Sequence, residues 1–447
     1  MDVSTNNITI RDWQLNRQVE FVRKTGRWYV RWKRLREVAK ERGREEVKTV
    51  VVIPSYWGRP SNEPFDTADT IYDHPTPLDR EGTLARALES FKISNSKDFE
   101  IIVLGAATNQ IFEKQVERRV REIAAGYEKD LPISVMSHGF CDRLKDAVGS
   151  QDEGPASLVS LYGYSNIRNF CLIAAEMHGA DVIVLFDDDE VVEDPDYLSK
   201  CVEHIGKKNG GKEIKGIAGW YKRPTGGYLC PTTRDWWWME WCGSEAMNEA
   251  FKLYIGRGPR IKRTPFAFGG NMVMHKEIFN RIPFDPKITR GEDIDYLFNA
   301  KMFGYDFYLD NELWIRHLPP SGHTPDWMGF RQNVLRFTYA RQKLISQVEI
   351  DGMFVVKVED VDPYPGCFMR DDLDRKIFNT SSMLGLHYLL EKDDEGYTES
   401  MRNIELAKQL IRDEKDPIGD YLRLKENWEK LMNTLPSLRN HVDLLVE

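Results

Sequence analysis

The alternation of apolar and polar positions changes texture at Thr49. Val50-Val51-Val52-Ile53-Pro54 is a continuous, largely β-branched run, the pattern of a strand buried on both faces of a parallel sheet. Three similar runs follow, each after a stretch of helical periodicity. They are Phe99–Leu104 after Leu84–Phe91, Ile133–Met136 after Ile111–Tyr127, and Asp181–Phe186 after Ile167–His178. Strands alternating with helices imply right-handed βαβ crossovers. Ligands of such sheets sit at the carboxyl ends of the strands, which directs attention to the loops after Pro54, Leu104 and Phe186. Trp57–Gly82 and Ser137–Ser165 read as long irregular connections of the kind that carry specificity.

Upstream, residues 11–48 read as a basic helical segment, its charged face either solvated or set against a partner or a membrane surface. After about Tyr339 strand signals thin out. Phe354–Val358 is a candidate further strand, and the chain from Asp371 onward reads as helices with a charged surface. The expected organisation is a helical N-terminal segment (1–48), an α/β domain (49–345) and a mainly helical C-terminal extension (346–447).

Composition narrows the class. The 447 residues are 41% hydrophobic and 11% aromatic, enough for a sizeable core, which excludes disorder for most of the chain. Lys+Arg 62 against Asp+Glu 71 leaves −9, with no basic field for nucleic acid. No apolar run approaches the roughly 18 residues of a transmembrane helix. The N-terminus lacks the basic-then-apolar layout of a signal peptide, and Cys141, Cys171, Cys201, Cys230, Cys242 and Cys367 form no CxxC pair. Both features lead to the expectation of a cytoplasmic protein with reduced thiols.

The strongest chemical signal is Val182-Ile183-Val184-Leu185-Phe186-Asp187-Asp188-Asp189, a buried strand that emerges directly into three carboxylates. Adjacent like charges call for a cation, and a hard divalent ion such as Mg²⁺ or Mn²⁺ is the simplest one. Such an ion would in turn hold a diphosphate. A solvated acidic loop is the plainer alternative.

Ser165-Asn166-Ile167-Arg168-Asn169-Phe170, the strand into Asp187-Asp188-Asp189, and Pro195 together resemble the nucleotide-sugar half of family 2 glycosyltransferases with the GT-A fold. Phe268-Gly269-Gly270-Asn271-Met272-Val273, Gly291-Glu292-Asp293-Ile294-Asp295-Tyr296 and Gly304-Tyr305 look like its acceptor half. With Val52-Ile53-Pro54-Ser55-Tyr56 at the first strand, the resemblance spans roughly 49 to 340. It implies a Rossmann-like, mostly parallel sheet with helices on both faces, divided into a nucleotide-sugar half (49–200) and an acceptor half (201–345).

The resemblance also implies roles. Asp187 and Asp189 match the two acids of Asp-x-Asp, with Asp189 on the metal and Asp187 on ribose or metal. Pro54, Ser55, Tyr56, Arg168 and Asp188 fall on the donor side. Asp293 matches the general base, with Glu292 beside it as a catalytic or acceptor-binding carboxylate. Gly270 and Asn271 fall on the acceptor side. His317 would be a third metal ligand, with His323 its competitor. In one departure, Leu104-Gly105-Ala106-Ala107-Thr108-Asn109 has no acid where the family places one against the base or ribose. Asn109 or Thr108 would make a neutral hydrogen bond there instead.

Two segments stand apart. Trp236, Trp237, Trp238 and Trp241 offer either a sugar-stacking acceptor platform, with Trp237 and Trp238 foremost, or core, membrane-interface or subunit packing. Arg257, Arg260, Lys262 and Arg263 form a basic loop for an anionic acceptor, for the leaving diphosphate or simply for solvent. The expected activity is metal-dependent transfer of a hexose from a nucleoside-diphosphate sugar to a carbohydrate or small hydroxylated acceptor, inverting with Asp293 as base. The rivals are a retaining enzyme similar to the mannosyl- or glucosyl-3-phosphoglycerate synthases, a sugar nucleotidyltransferase, and a catalytically inert binding protein.

Overall fold

A computed structural model describes residues 7–12, 17–24, 27–34, 47–63, 72, 75–232, 235–238, 240–241, 243–320, 325–413 and 416–439. The chain divides into two compact units, Met1–Val47 and Lys48–Glu447. The first corrects the expectation of helices. It contains three antiparallel strands, β1 (Asn7–Asp12), β2 (Arg17–Lys24) and β3 (Arg27–Arg34), in that order. The register sets Phe21 opposite Ile8 and Val30, and Val19 opposite Ile10 and Trp32. Val19 and Phe21, like Trp28, Val30 and Trp32, recur with period two, and β-branched and aromatic residues favour strands.

The second unit is α/β. Its sheet contains β4 (Thr49–Gly58), β5 (Thr76–Pro77), β6 (Glu100–Ala107), β7 (Ile133–Met136), β8 (Val182–Leu185) and β9 (Glu190–Val191). A small hairpin, β10 (Lys208–Asn209) with β11 (Lys212–Glu213), stands apart from it. The sheet continues with β12 (Gly216–Lys222), β13 (Ile261–Arg263), β14 (Met272–His275) and β15 (Phe307–His317). The strand order is β13-β15-β12-β14-β8-β4-β6-β7, with β5 on β4 and β9 on β15. The strands from β8 to β7 run parallel, as do β12 and β15, while β14 runs antiparallel to both of its neighbours. The carboxyl ends of β4, β6, β8, β12 and β15 therefore share one edge with the start of β14.

The continuous apolar strands follow from burial on both faces. Val50 and Val52 join one apolar layer and Val51 and Ile53 the other, all without solvent exposure. The first layer is closed by α3 (His138–Gly149), α5 (Tyr164–Met177) and α13 (Pro417–Leu438), the second by α1 (Leu84–Ser90), α2 (Glu113–Ala125) and α6 (Tyr197–Glu203). The stretch Ser137–Ser165, expected as an irregular loop, contains α3 and the short α4 (Glu153–Ala156). Phe140, Cys141, Leu144 and Val148 recur at helical spacing there and are buried.

The remaining helices are α7 (Gly243–Tyr254), α8 (Lys276–Phe279), α9 (Glu292–Met302), α10 (Asp326–Ile345), α11 (Leu373–Leu390) and α12 (Asp394–Asp413). Residues 346–447 belong to the same compact unit as the sheet. Trp428 on α13 is fully buried and donates its indole N–H to the Phe279 carbonyl at 2.9 Å. Phe354–Val358 forms no strand; Phe354 and Val355 are exposed. Lys343 of α10 is buried between Asp285 at 2.7 Å and Asp295 at 2.9 Å. That ion cluster ties α10 to α9, the helix that carries Glu292 and Asp293 in its first turn.

Among the described residues no helix is long and apolar enough to cross a membrane. Cys141, Cys171, Cys201, Cys230 and Cys367 are free thiols.

Candidate active site

The common carboxyl edge gathers the acids. Asp187 follows β8, and its carboxylate takes a two-point grip from Arg168 of α5, Nη1 to Oδ1 at 2.7 Å and Nη2 to Oδ2 at 3.0 Å. The same guanidinium donates its Nε–H to Glu292 Oε1 at 3.1 Å. One buried cation thus serves carboxylates that are far apart in the chain, a geometry that needs the planar fork of Arg. Gly269 makes room for it, since a Cβ there would stand 2.7 Å from Arg168 Nη2.

Asp188 turns toward β4. Its Oδ2 accepts from Ser55 Oγ at 2.6 Å, and Ser55 Oγ in turn accepts the Trp57 indole N–H at 2.8 Å. Burial raises the Asp188 carboxyl to about 7.

Asp189 lies 3.2 Å, Oδ2 to Nε2, from His317 at the end of β15. The short pairing of β9 with β15 sets His317 opposite Glu190, and the Leu318 N–H donates to the Asp189 carbonyl at 2.9 Å. Tyr221 of β12 stacks on the His317 ring with centroids 4.8 Å apart, and its hydroxyl accepts the Gly270 N–H at 2.7 Å.

Among the described residues no group of three or more His, Cys, Asp or Glu is arranged to hold an ion. Each oxygen of Asp187 accepts from Arg168, while Asp189 and His317 face each other and are residue types that could hold a divalent ion. His323 lies outside the described residues.

Asp293 follows Glu292 at the start of α9, its Oδ1 accepting the Ile294 N–H at 2.8 Å. Burial and the neighbouring Glu292 charge raise it to about 7. Tyr56 packs its ring 4.5 Å from Tyr72 and 5.7 Å from Tyr164, and its buried hydroxyl, beside Arg168 and Asp187, has no hydrogen-bond partner among the described residues. Pro54 is buried in β4 opposite Leu104. The Asn109 side chain caps the turn that follows it, accepting the Ile111 N–H at 3.2 Å.

Asn271 is fully buried, accepting from the Tyr197 hydroxyl at 2.9 Å and donating to the Trp220 carbonyl at 3.2 Å, so its amide braces the sheet. Gly270 is required by packing, because a Cβ would run into the Glu190 carboxylate. Trp237 stacks flat on His387 of α11 at 3.8 Å, Trp238 meets Phe330 of α10 edge-on at 5.6 Å, and Trp241 is buried against Phe330 and Phe368. Trp237 and Trp238, both partly exposed, thus make packing contacts with α11 and α10. The basic loop is partly paired, with Arg257 exposed. Arg260 pairs with Asp310 and Glu203, each at 2.8 Å, and Arg263 with Asp306 at 3.4 Å. Strand β13 pairs antiparallel with Tyr308–Asp310 of β15.

Sequence reading missed Glu190 and Tyr221. Glu190 is buried, accepts the Asp187 N–H at 2.8 Å and is raised well above the usual carboxylate range by that burial. Its position directly after three acids was the available signal. For Tyr221, one aromatic residue in a strand, the sequence held none.

No protein-family profile matches the chain, and no curated protein matches it. Among solved structures, it is similar to a mannosyltransferase from Pyrobaculum calidifontis in complex with GDP-Man and Mn²⁺. That likeness has 13% identity and a TM-score of 0.44, covering 90% of this chain and 88% of the other. A second is a glucosyl-3-phosphoglycerate synthase from Mycobacterium tuberculosis in complex with Mn²⁺, uridine diphosphate and phosphoglyceric acid. Here identity is 15% and the TM-score 0.36, covering 65% of this chain and 76% of the other.

Proposed function

We propose that the chain is a GT-A-type glycosyltransferase that moves a sugar from a nucleoside-diphosphate donor to an acceptor hydroxyl. One observation carries the reading: at a common carboxyl edge, an Asp189–His317 pair suited to a divalent ion stands beside an Asp187 clamped by Arg168. Asp189 and His317 would hold Mn²⁺ or Mg²⁺, which when bound supplies positive charge against the departing diphosphate. Asp187, immobilised by Arg168, offers a rigid acceptor for a ribose or sugar hydroxyl. Asp188 and Ser55 fix the loop between β8 and β9 against β4.

The course at the anomeric carbon turns on Asp293. In an inverting enzyme it takes the acceptor proton, and a carboxyl raised to about 7 is matched to that task. In a retaining enzyme no base is required opposite the leaving group, and Asp293 would orient the acceptor instead. The anomer of the product, read by NMR, decides between the two. The nucleotidyltransferase reading would use Arg59 on phosphate, but Arg59 pairs with Glu63 at 3.1 Å and lies over the Phe112 ring.

The test is a thermal-shift screen of nucleoside diphosphates and their sugars with and without Mn²⁺. A ligand bound to the native state at about 100 times its Kd adds roughly 2.7 kcal/mol. Stabilisation that needs both nucleotide and metal is expected. No shift with any nucleotide would overturn the proposal.

A further inference from the structure

The carboxyl end of β6 carries a second polar cluster. His138, buried in the first turn of α3, accepts the Ala107 N–H on Nε2 at 3.0 Å. Its proton therefore sits on Nδ1, which faces Glu113 Oε1 at 3.2 Å. Tyr162 donates its hydroxyl to the same oxygen at 2.5 Å. Burial keeps the imidazole neutral, lowering it to about 4. Oε1 takes both donors, whereas Oε2 accepts no hydrogen bond among the described residues, and the side chain is 27% exposed.

Aromatic rings join this cluster to the candidate active site. Tyr162 packs 4.8 Å from His138, and the next residue, Gly163, donates its N–H to the Tyr72 hydroxyl at 3.2 Å. Tyr72 lies 4.5 Å from Tyr56 and 5.3 Å from Tyr164. Tyr56 in turn stands beside Arg168 and Asp187. A wall of rings thus runs from the Arg168–Asp187 clamp to Glu113.

We propose that Glu113 reads the nucleobase of the donor and selects guanine, so that the donor is a guanosine-diphosphate sugar. This rests on the glycosyltransferase reading above. A carboxylate oxygen is an acceptor only, and one held by His138 and Tyr162 cannot swing away from a mismatched partner. Guanine presents two adjacent donors on one edge, N1–H and the exocyclic N2–H. Uracil presents a single N3–H between two carbonyl oxygens whose lone pairs oppose a carboxylate. The partly exposed rings of Tyr56 and Tyr164, backed by the buried Tyr72, would supply a face for stacking, which accepts any base, and so discrimination falls to Glu113.

Calorimetric titration of the full chain with GDP, UDP, ADP and CDP in the presence of Mn²⁺ tests this on the wild type, Glu113→Gln and Tyr162→Phe. Melting temperatures show that each variant is folded. The wild type should prefer GDP over UDP on the order of 10- to 100-fold, the worth of hydrogen bonds to a charged group. Glu113→Gln should lose that preference through weaker GDP binding, with UDP unchanged. Tyr162→Phe, which leaves the carboxylate free to turn, should lose part of it. A wild type that prefers UDP, or a Glu113→Gln variant that keeps the GDP preference, overturns the assignment of Glu113 and leaves sugar transfer standing. Binding of none of the four nucleotides overturns both.

Discussion

Asp189 and His317 are 128 residues apart in sequence and 3.2 Å apart in space. Their meeting is a backbone achievement. β9 and β15 pair antiparallel across Glu190 and His317, and the Leu318 N–H closes on the Asp189 carbonyl. Stacking on Tyr221 then limits the imidazole to a narrow range of orientations.

If this pair holds the ion, Asp189→Ala and His317→Ala should each remove the Mn²⁺-dependent part of nucleotide stabilisation. The metal-free melting temperature should stay near wild type, because both side chains are partly exposed. Differential scanning fluorimetry with and without Mn²⁺ measures both quantities. A full metal-dependent shift in either variant would assign the ion to other ligands.

Arg168 has a separate, ligand-independent consequence. Arg168→Met leaves Asp187 and Glu292 facing each other without a cation, and removing one partner of a buried pair costs about 3–5 kcal/mol. Arg168→Lys keeps the charge but not the fork, and should fall between the two. Denaturant unfolding without nucleotide gives the comparison, and equal stability of Met and wild type would refute the clamp.

For Asp293 the sign of the pH dependence is fixed by its raised pKa. The folded chain holds this proton more tightly than the unfolded chain, where an Asp titrates near about 4. The contribution of this group to stability therefore declines as pH rises from about 4 to about 7 and is fully lost above that. Asp293→Asn should flatten this window. In an inverting enzyme turnover should rise to a plateau above pH about 7, and the Asn variant should lose on the order of 10²- to 10⁴-fold with donor affinity retained. Retention of more than roughly a tenth of turnover would exclude Asp293 as base.

The tryptophans separate packing from recognition. Trp241→Ala should destabilise by about 3–5 kcal/mol, as for a buried aromatic. Trp237→Ala should lower the melting temperature by removing the His387 stack, with donor hydrolysis and acceptor use falling together only as far as folded protein is lost. Selective loss of acceptor use at an unchanged melting temperature would restore the sugar-platform reading.

Sequence alone determined the parallel strands of the second unit and the emergence of acids from one of them. Strands covered on both faces must be continuously apolar, and a charge directly after such a run can only lie at the sheet edge. What sequence could not decide was how those acids are shared. Asp187 and Asp189 are equivalent in a motif, yet one faces the Arg168 fork and the other faces His317. The N-terminal strands were misread because closely spaced basic residues, such as Arg27, Arg31 and Lys33 alternating with Trp28, Val30 and Trp32 in β3, imitate a helix face. Trp237 and Trp238 stood open between packing and an acceptor platform, and Asn271 on the acceptor side, because aromatic and amide groups serve packing and recognition with the same atoms. Only the tertiary structure brings His387, Phe330 and Tyr197 against them, since these partners lie far off in the chain.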